Sequence, residues 1–283
     1  MRNSTGLAGG LTLTGYSERG MLNSLLHEMS YRGDSLRLLG ELLGQVRFPF
    51  RKHAPQVEPV RAAEVIVEQS LSDFGDADCV ILLDHNDNSQ TVFVEAKVTT
   101  SQTPSLYFKR EFDFFRRDVG RDGRLGGDLF SQLYRKLILA KALVGFGFDK
   151  VVANGIEVEN DKEYRSGTVR KLGGNPVVLR AARKIAVHLS DVLLVAVVPL
   201  GKSDPKGTEE FVASARRLLG ENEHIGDELG LALWKDFLRG FGLLTWLQVE
   251  EFCAEHHLDN TMGAFHHNAG QISAHLKSNS AAR

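Results

Sequence analysis

The sequence predicts an α/β protein, a sandwich with a mixed central sheet and helices on its faces. Three observations carry that reading. Short β-branched runs cluster at residues 63–70, 78–84 and 91–98, apolar stripes of helical period precede and follow them, and DVLLVAVVPL at 191–200 is apolar almost throughout. The order is helix, three strands, helix, further helix, strand, which layers helices onto a sheet.

Residues 1–15 are rich in Gly and Thr and read as a flexible arm. From Ser17, an N-cap candidate, Met21, Leu22, Leu25, Leu26 and Met29 recur at helical spacing. Glu18 falls in line with that stripe; a glutamate in a first turn also complements the helix dipole. A second stripe at 35–43 leads into a Pro-containing loop. The three strands follow, joined by Asp-Phe-Gly-Asp at 73–76 and His-Asn-Asp-Asn at 85–88, and connections this short favour an antiparallel meander. Residues 101–127 read as a loop or irregular insertion with two Phe-rich turns and a Gly-rich end. Asp128 can cap the helix DLFSQLYRKLILAKAL, whose stripe is Leu129, Leu133, Leu137 and Ala140. Asn175-Pro176 supplies a cap and a proline at the first position of another helix. The apolar run at 191–200 then reads as a central strand buried on both faces. Beyond it the pattern is mainly helical, at 208–220, at 227–239, and from Thr245, where Thr245 and Gln248 match a capping box; residues 277–283 should fray. The expected division is the arm at 1–15, a core domain at 16–200, and a helical C-terminal extension at 201–283 packed on the core.

Composition narrows the class. A hydrophobic share of 42% and a charged share of 25% are those of an ordinary globular protein, which excludes a disordered or fibrous chain. Cys79 and Cys253 lie far apart with no CxxC, arguing against a disulfide framework or zinc cluster and fitting a reducing compartment. No secretory signal is evident at the start, and the longest apolar run is far short of the ~20 residues of a membrane helix, so the expectation is a soluble cytoplasmic protein. Net charge is −2, so affinity for nucleic acid has to come from local basic patches or bound cations.

The stretch TVFVEAKVTT at 91–100 carries the chemistry. On a strand, Val92, Val94, Ala96 and Val98 share one face, and Phe93, Glu95 and Lys97 share the other. Glu95 and Lys97 then sit about 7 Å apart, close enough to converge on one ligand. Asp78 opens the neighbouring strand and can share a cation with Glu95 if the register sets them side by side. Two carboxylates with water and phosphate oxygens are ligands that magnesium prefers, and a lysine beside them can orient or help deprotonate the attacking water.

At these residues the sequence resembles the PD-(D/E)XK nuclease superfamily, the restriction-endonuclease-like fold. The matching pieces are SERGMLNSLLHEM (17–29), FGDADCVILLD (74–84), VFVEAKV (92–98) and the helix after Asp128, and the αβββαβ core order of that family coincides over roughly residues 16–200. The resemblance implies a nuclease dependent on Mg²⁺ or Mn²⁺ acting on DNA ahead of RNA. Asp78 and Glu95 would bind the metal, Lys97 would act on the attacking water, Glu18 would be the auxiliary helix acid and metal ligand, and Gln132 the polar residue of the following helix. One departure is Ala77 where a proline usually precedes the first acid, and Asp76 competes with Asp78. Asp78 is preferred because it abuts the apolar run CVILL. Cutting of both strands would favour a homodimer.

Other readings compete. An E-x-K on a strand is, by itself, more often a solvent-facing ion pair than a catalytic one. The same fold could also be an inactive nucleic-acid-binding or complex-forming protein. Residues 161–184 hold seven Lys/Arg against two acids, and 109–124 hold six against four, with Tyr107, Phe108, Phe112, Phe114 and Phe115 interleaved or close by. Such patches can track phosphates and stack bases, although aromatic residues are more often packing and charge runs solvated faces. His256, His257, His266, His267 and His275 match no standard zinc spacing, and GxGxxG, P-loop and GxSxG patterns are absent.

Overall fold

The computed structural model describes residues 17–52, 55, 59–98, 104–120, 127–157, 169–199, 207–222 and 231–268. Three adjacent strands, β1 (Ala62–Ser70), β2 (Asp76–Asp84) and β3 (Ser89–Ala96), form the expected antiparallel meander. Their β-branched residues favour the pleated, packed surface, and the β1–β2 connection is a single 3₁₀ turn closed by Gly75 at φ +76°. The apolar run becomes β6 (Asp191–Val198), parallel to β3 and interior to the sheet. A short hairpin of β4 (Ile156–Glu157) and β5 (Val169–Arg170) stands apart, and the main sheet has the order β1-β2-β3-β6-β7.

Each face of this mixed sheet has its own core. On one, α1 (Ser17–Ser30) and α2 (Ser35–Gly44) bury Met21, Leu25, Leu38 and Leu42 against Ile81, Val92 and Val195. On the other, α4 (Leu129–Phe146) covers Val80, Phe93 and Leu194. Asp128 caps α4 through Ser131 N at 2.8 Å, and Asn175 caps α6 (Pro176–Ala186) through Val177 N at 2.9 Å, as their sequence positions predict. The short α5 (Phe148–Ala153) lies between them in the chain. Among the described residues, no helix is long and apolar enough to cross a membrane. Cys79 and Cys253 are buried and unpaired. The expected arm at 1–15 and the frayed end at 277–283 lie outside the described residues.

Two sequence expectations need correction. Residues 104–120 are not an irregular loop; they form α3 (Pro104–Gly120). Tyr107, Phe108, Phe112 and Phe115 are one helical stripe, all buried, and Pro104 occupies the first helical position. The exposed Phe114, between the buried Phe112 and Phe115, conceals the period in the sequence. Their rings join Phe130, Phe237 and Trp234, with Trp234 stacked on Phe237 at 5.3 Å, so these aromatics serve packing.

The second correction concerns the region after 200. It supplies α7 (Gly207–Gly220), α8 (Leu231–Gly240), α9 (Trp246–Glu255) and a further helix, α10, over residues 259–268, but also β7 (Phe241–Thr245). Strand β7 pairs in parallel with β6 and belongs to the main sheet. Five residues between two helical stripes give too short a window to show a strand period, and the pairing with β6 decides the conformation. Arg47 exchanges two backbone hydrogen bonds of 2.8 Å with Leu243 on the outer side of β7. The capping box of Thr245 and Gln248 then opens α9, as expected.

Gly242 is the contact point of β7. A Cβ there would lie 2.6 Å from Val46 Cγ1 and 2.7 Å from Phe48 Cε1. Gly242→Ala should therefore destabilise the protein by overpacking, by about 1–3 kcal/mol in a urea melt. An unchanged midpoint would show that the Val46–Phe48 segment gives way freely.

Candidate functional site

The β2–β3 ladder ends at Cys79↔Val94. Continuing that register by one step sets Asp78 opposite Glu95, so the two carboxylates face each other across neighbouring strands. Both lie on the sheet face covered by α4, the face of Val80 and Phe93. Asp78 is 7% exposed and Glu95 1%. Where the ladder stops, the side chain of Asp78 continues it: Oδ2 accepts a 2.9 Å hydrogen bond from Ala96 N. The competing Asp76 is exposed and paired with Ser70 at the start of β2, so the geometry favours Asp78 as the inward carboxylate.

Each carboxylate already has a basic neighbour, and neither neighbour was singled out from the sequence. Lys136 on α4, fully buried, places Nζ 3.1 Å from Glu95 Oε1 and also donates to the carbonyl of Asp76. At this distance the buried ammonium is a direct charged partner of Oε1 and favours the ionised carboxylate. On the other carboxylate, Arg19 Nε lies 3.3 Å from Asp78 Oδ1. Signals existed for both. Lys136 falls three residues after Leu133 and four before Ala140, inside the apolar stripe, where a lysine is out of place. Arg19 is simply the residue after Glu18.

Of the remaining sequence-selected residues, Lys97 is half-buried just past β3, on the same strand face as Glu95, and its charge favours the ionised form of Glu95. Its carbonyl is fixed by Trp246 Nε1 at 2.9 Å. Glu18 has no hydrogen bond or ion pair among the described residues; its charge acts on the buried Tyr107. Gln132 turns back to the carbonyl of Gly127 at 2.6 Å, and Lys136, one helical turn further on, is the α4 residue that meets Glu95. A third carboxylate lies near the row at a break in the β1–β2 ladder: Val67 pairs with Cys79 and Gln69 with Ala77, and Glu68 between them is out of the pairing. Glu68 has φ +50°, which costs a non-glycine residue roughly 1–2 kcal/mol, and its side chain accepts a 2.7 Å hydrogen bond from Asn23 on α1.

Several residues of the basic clusters make contacts within the chain. Arg170 is buried and donates to the carbonyl of Asp73, Lys184 pairs with Glu64, and Arg183 stacks over Phe148. On α3, Lys109 pairs with Asp113 and Arg117 stacks over Phe114. Lys162, Arg165, Arg121 and Arg124 lie outside the described residues. His256 contacts Glu41 at 3.2 Å, His257, His266 and His267 join no metal cluster, and His275 lies outside the described residues.

Among the described residues, no three His, Cys, Asp or Glu side chains gather as a ready-made metal cage. Magnesium needs no such cage, because it binds through one or two carboxylates and keeps several waters. Asp78 and Glu95, adjacent hard oxygen donors, fit that ion or manganese in donor type. Comparison of the chain with protein-family models, with curated proteins and with solved structures gives no match. Fold and site together define an α/β protein with a five-stranded mixed sheet and a carboxylate pair at the end of its β2–β3 ladder.

Burial pushes the Glu95 carboxyl up to about 7, opposed by Lys136 and reinforced by Asp78. The native state then keeps a proton on Glu95 at pH values where the unfolded chain, near 4.5, has lost it. The contribution is present below 4.5 and is lost as pH rises to 7. In EDTA, wild type should lose stability relative to Glu95→Gln across that window, by about 3 kcal/mol. Parallel stability curves from pH 4.5 to 8 would show that Glu95 titrates normally.

Proposed function

We propose that the protein is a metal-dependent nuclease hydrolysing phosphodiester bonds of DNA, with a restriction-endonuclease-like core. The observation that carries this is the juxtaposition of Asp78 and Glu95 in one cross-strand row, with Lys97 following on the strand face of Glu95. The αβββαβ order and the parallel entry of β6 beside β3 support the same reading. Asp78 and Glu95 would hold the cation. Magnesium or manganese bound there would stabilise the negative charge that develops on phosphate oxygens during hydrolysis. Lys97, half-exposed at the rim, would orient the attacking water, and buried Lys136 would keep the Glu95 carboxylate aimed while its partner strand is pinned at Asp76. Glu95 stands at the carboxyl end of β3, beside that of the parallel β6, the end at which open α/β sheets place ligands.

One observation favours a second reading, a non-catalytic nucleic-acid-binding or complex-forming protein on the same fold. Arg19 and Lys136 already neutralise the two carboxylates, as purely structural ion pairs would.

Plasmid nicking with Mg²⁺, Mn²⁺ or EDTA separates the two. The expected result is metal-dependent cutting that Asp78→Asn and Lys97→Ala each reduce by about 10²-fold or more, with thermal midpoints in EDTA close to wild type. Cutting retained in Lys97→Ala would remove Lys97 from the mechanism. No cutting of double-stranded DNA, single-stranded DNA or RNA, with no metal-induced rise in midpoint, would favour the second reading.

A further inference from the structure

We propose that Arg19 is a substrate-binding residue: it neutralises Asp78 while no divalent cation is bound, and engages a backbone phosphate of the nucleic acid when one is. This rests on the nuclease reading. The Arg19–Asp78 pair is strongly asymmetric, with Arg19 49% exposed and Asp78 only 7%. Asp78 is fixed independently of Arg19, because its other oxygen takes the hydrogen bond from Ala96 N. Arg19 is held by less: one contact through Nε, its only hydrogen bond among the described residues. The other guanidinium N–H donors make no hydrogen bond among the described residues.

The surroundings explain why the guanidinium rests there. Asp76 and Glu68 add their charges to that of Asp78, so three carboxylates draw it to the rim of the site. Attraction of this kind depends on charge more than geometry. A doubly charged cation on Asp78 would cancel it and repel the guanidinium, while the flexible, half-exposed side chain can move at little cost. The planar fork, once free, matches phosphate oxygens and stands beside the carboxylates that would hold the metal. Lys136 cannot exchange in this way, since it is fully buried between Glu95 and the carbonyl of Asp76.

Two titrations test the exchange. In the first, Mg²⁺ alone is added and the thermal midpoint followed. Arg19→Gln should bind Mg²⁺ about 3–10-fold more tightly than wild type, because a competing cation worth roughly 1 kcal/mol has been removed. In the second, binding of a short DNA duplex in Mg²⁺ is measured in a Lys97→Ala background. Adding Arg19→Gln should weaken binding about tenfold and reduce the salt slope by about one, with Arg19→Lys intermediate. Midpoints in EDTA check that the variants fold. Unchanged Mg²⁺ affinity, or unchanged DNA affinity and salt slope, would overturn the assignment of Arg19 alone if wild type still cuts DNA. Absence of both cutting and DNA binding in wild type would overturn the nuclease reading and this one together.

Discussion

Glu95 is a carboxylate enclosed between the sheet and α4, and much of the local structure follows from the need to neutralise it. A lone buried carboxylate is costly, and the protein answers with Lys136, the fully buried lysine on the facing helix. That choice fixes how α4 lies on the sheet, because Nζ must reach both Glu95 on β3 and the carbonyl of Asp76 on β2. The helix is otherwise buried on nearly every side, with Leu129, Phe130, Leu133, Leu137 and Leu139 all in the core.

The same contact lies where the strands part. Strands β2 and β3 stop pairing at Cys79↔Val94, and Asp78 bonds the Ala96 amide that a regular ladder would have satisfied from the backbone. Beyond that point β3 pairs only with β6, through Lys97 N to the Val197 carbonyl at 2.9 Å. Trp246 then clamps the Lys97 carbonyl from α9. A segment emphasised in the sequence for two charged residues thus has its backbone fastened at Ala96 N, Lys97 N and the Lys97 carbonyl. Fastening from both sides is what a site needs if its carboxylates are to keep their spacing when a charge is added or removed.

What could be read from the sequence follows from where the physics is local. The meander, the caps at Asp128 and Asn175, and the capping box at Thr245 each depend on a few adjacent residues, and each is found in place. Strand β7 and helix α3 could not be read in this way. FGLLT becomes a strand because β6 offers an edge and Gly242 lets Val46 and Phe48 come close, and both facts are remote in sequence. The site divides similarly. Strand parity is a local rule, so Glu95 and Lys97 could be placed on one side, but Asp78 joins them only through the β2–β3 register, and the identity of their partners depends on how two helices dock. Glu18 was the natural choice on α1 and Gln132 on α4; docking presents Arg19 and Lys136 instead.

The two basic partners differ in kind, and the difference bears on what the carboxylate pair can do. Lys136 is sealed, so Glu95 keeps this neighbour at all times; it favours the ionised carboxylate without offsetting burial, which holds the carboxyl up at about 7. Arg19 is open to water, so the charge on Asp78 is balanced by a group that solvent or another cation can replace. Two sealed pairs would make a structural clasp, closed to ligands. Two open pairs would leave a buried glutamate without its neighbour whenever the guanidinium moved away. One sealed and one open pair gives a site in which a single positive charge can be exchanged without loss of the fold. Under the proposed nuclease reading, that charge balance is what would let a cation reach Asp78 while Glu95 stays aligned.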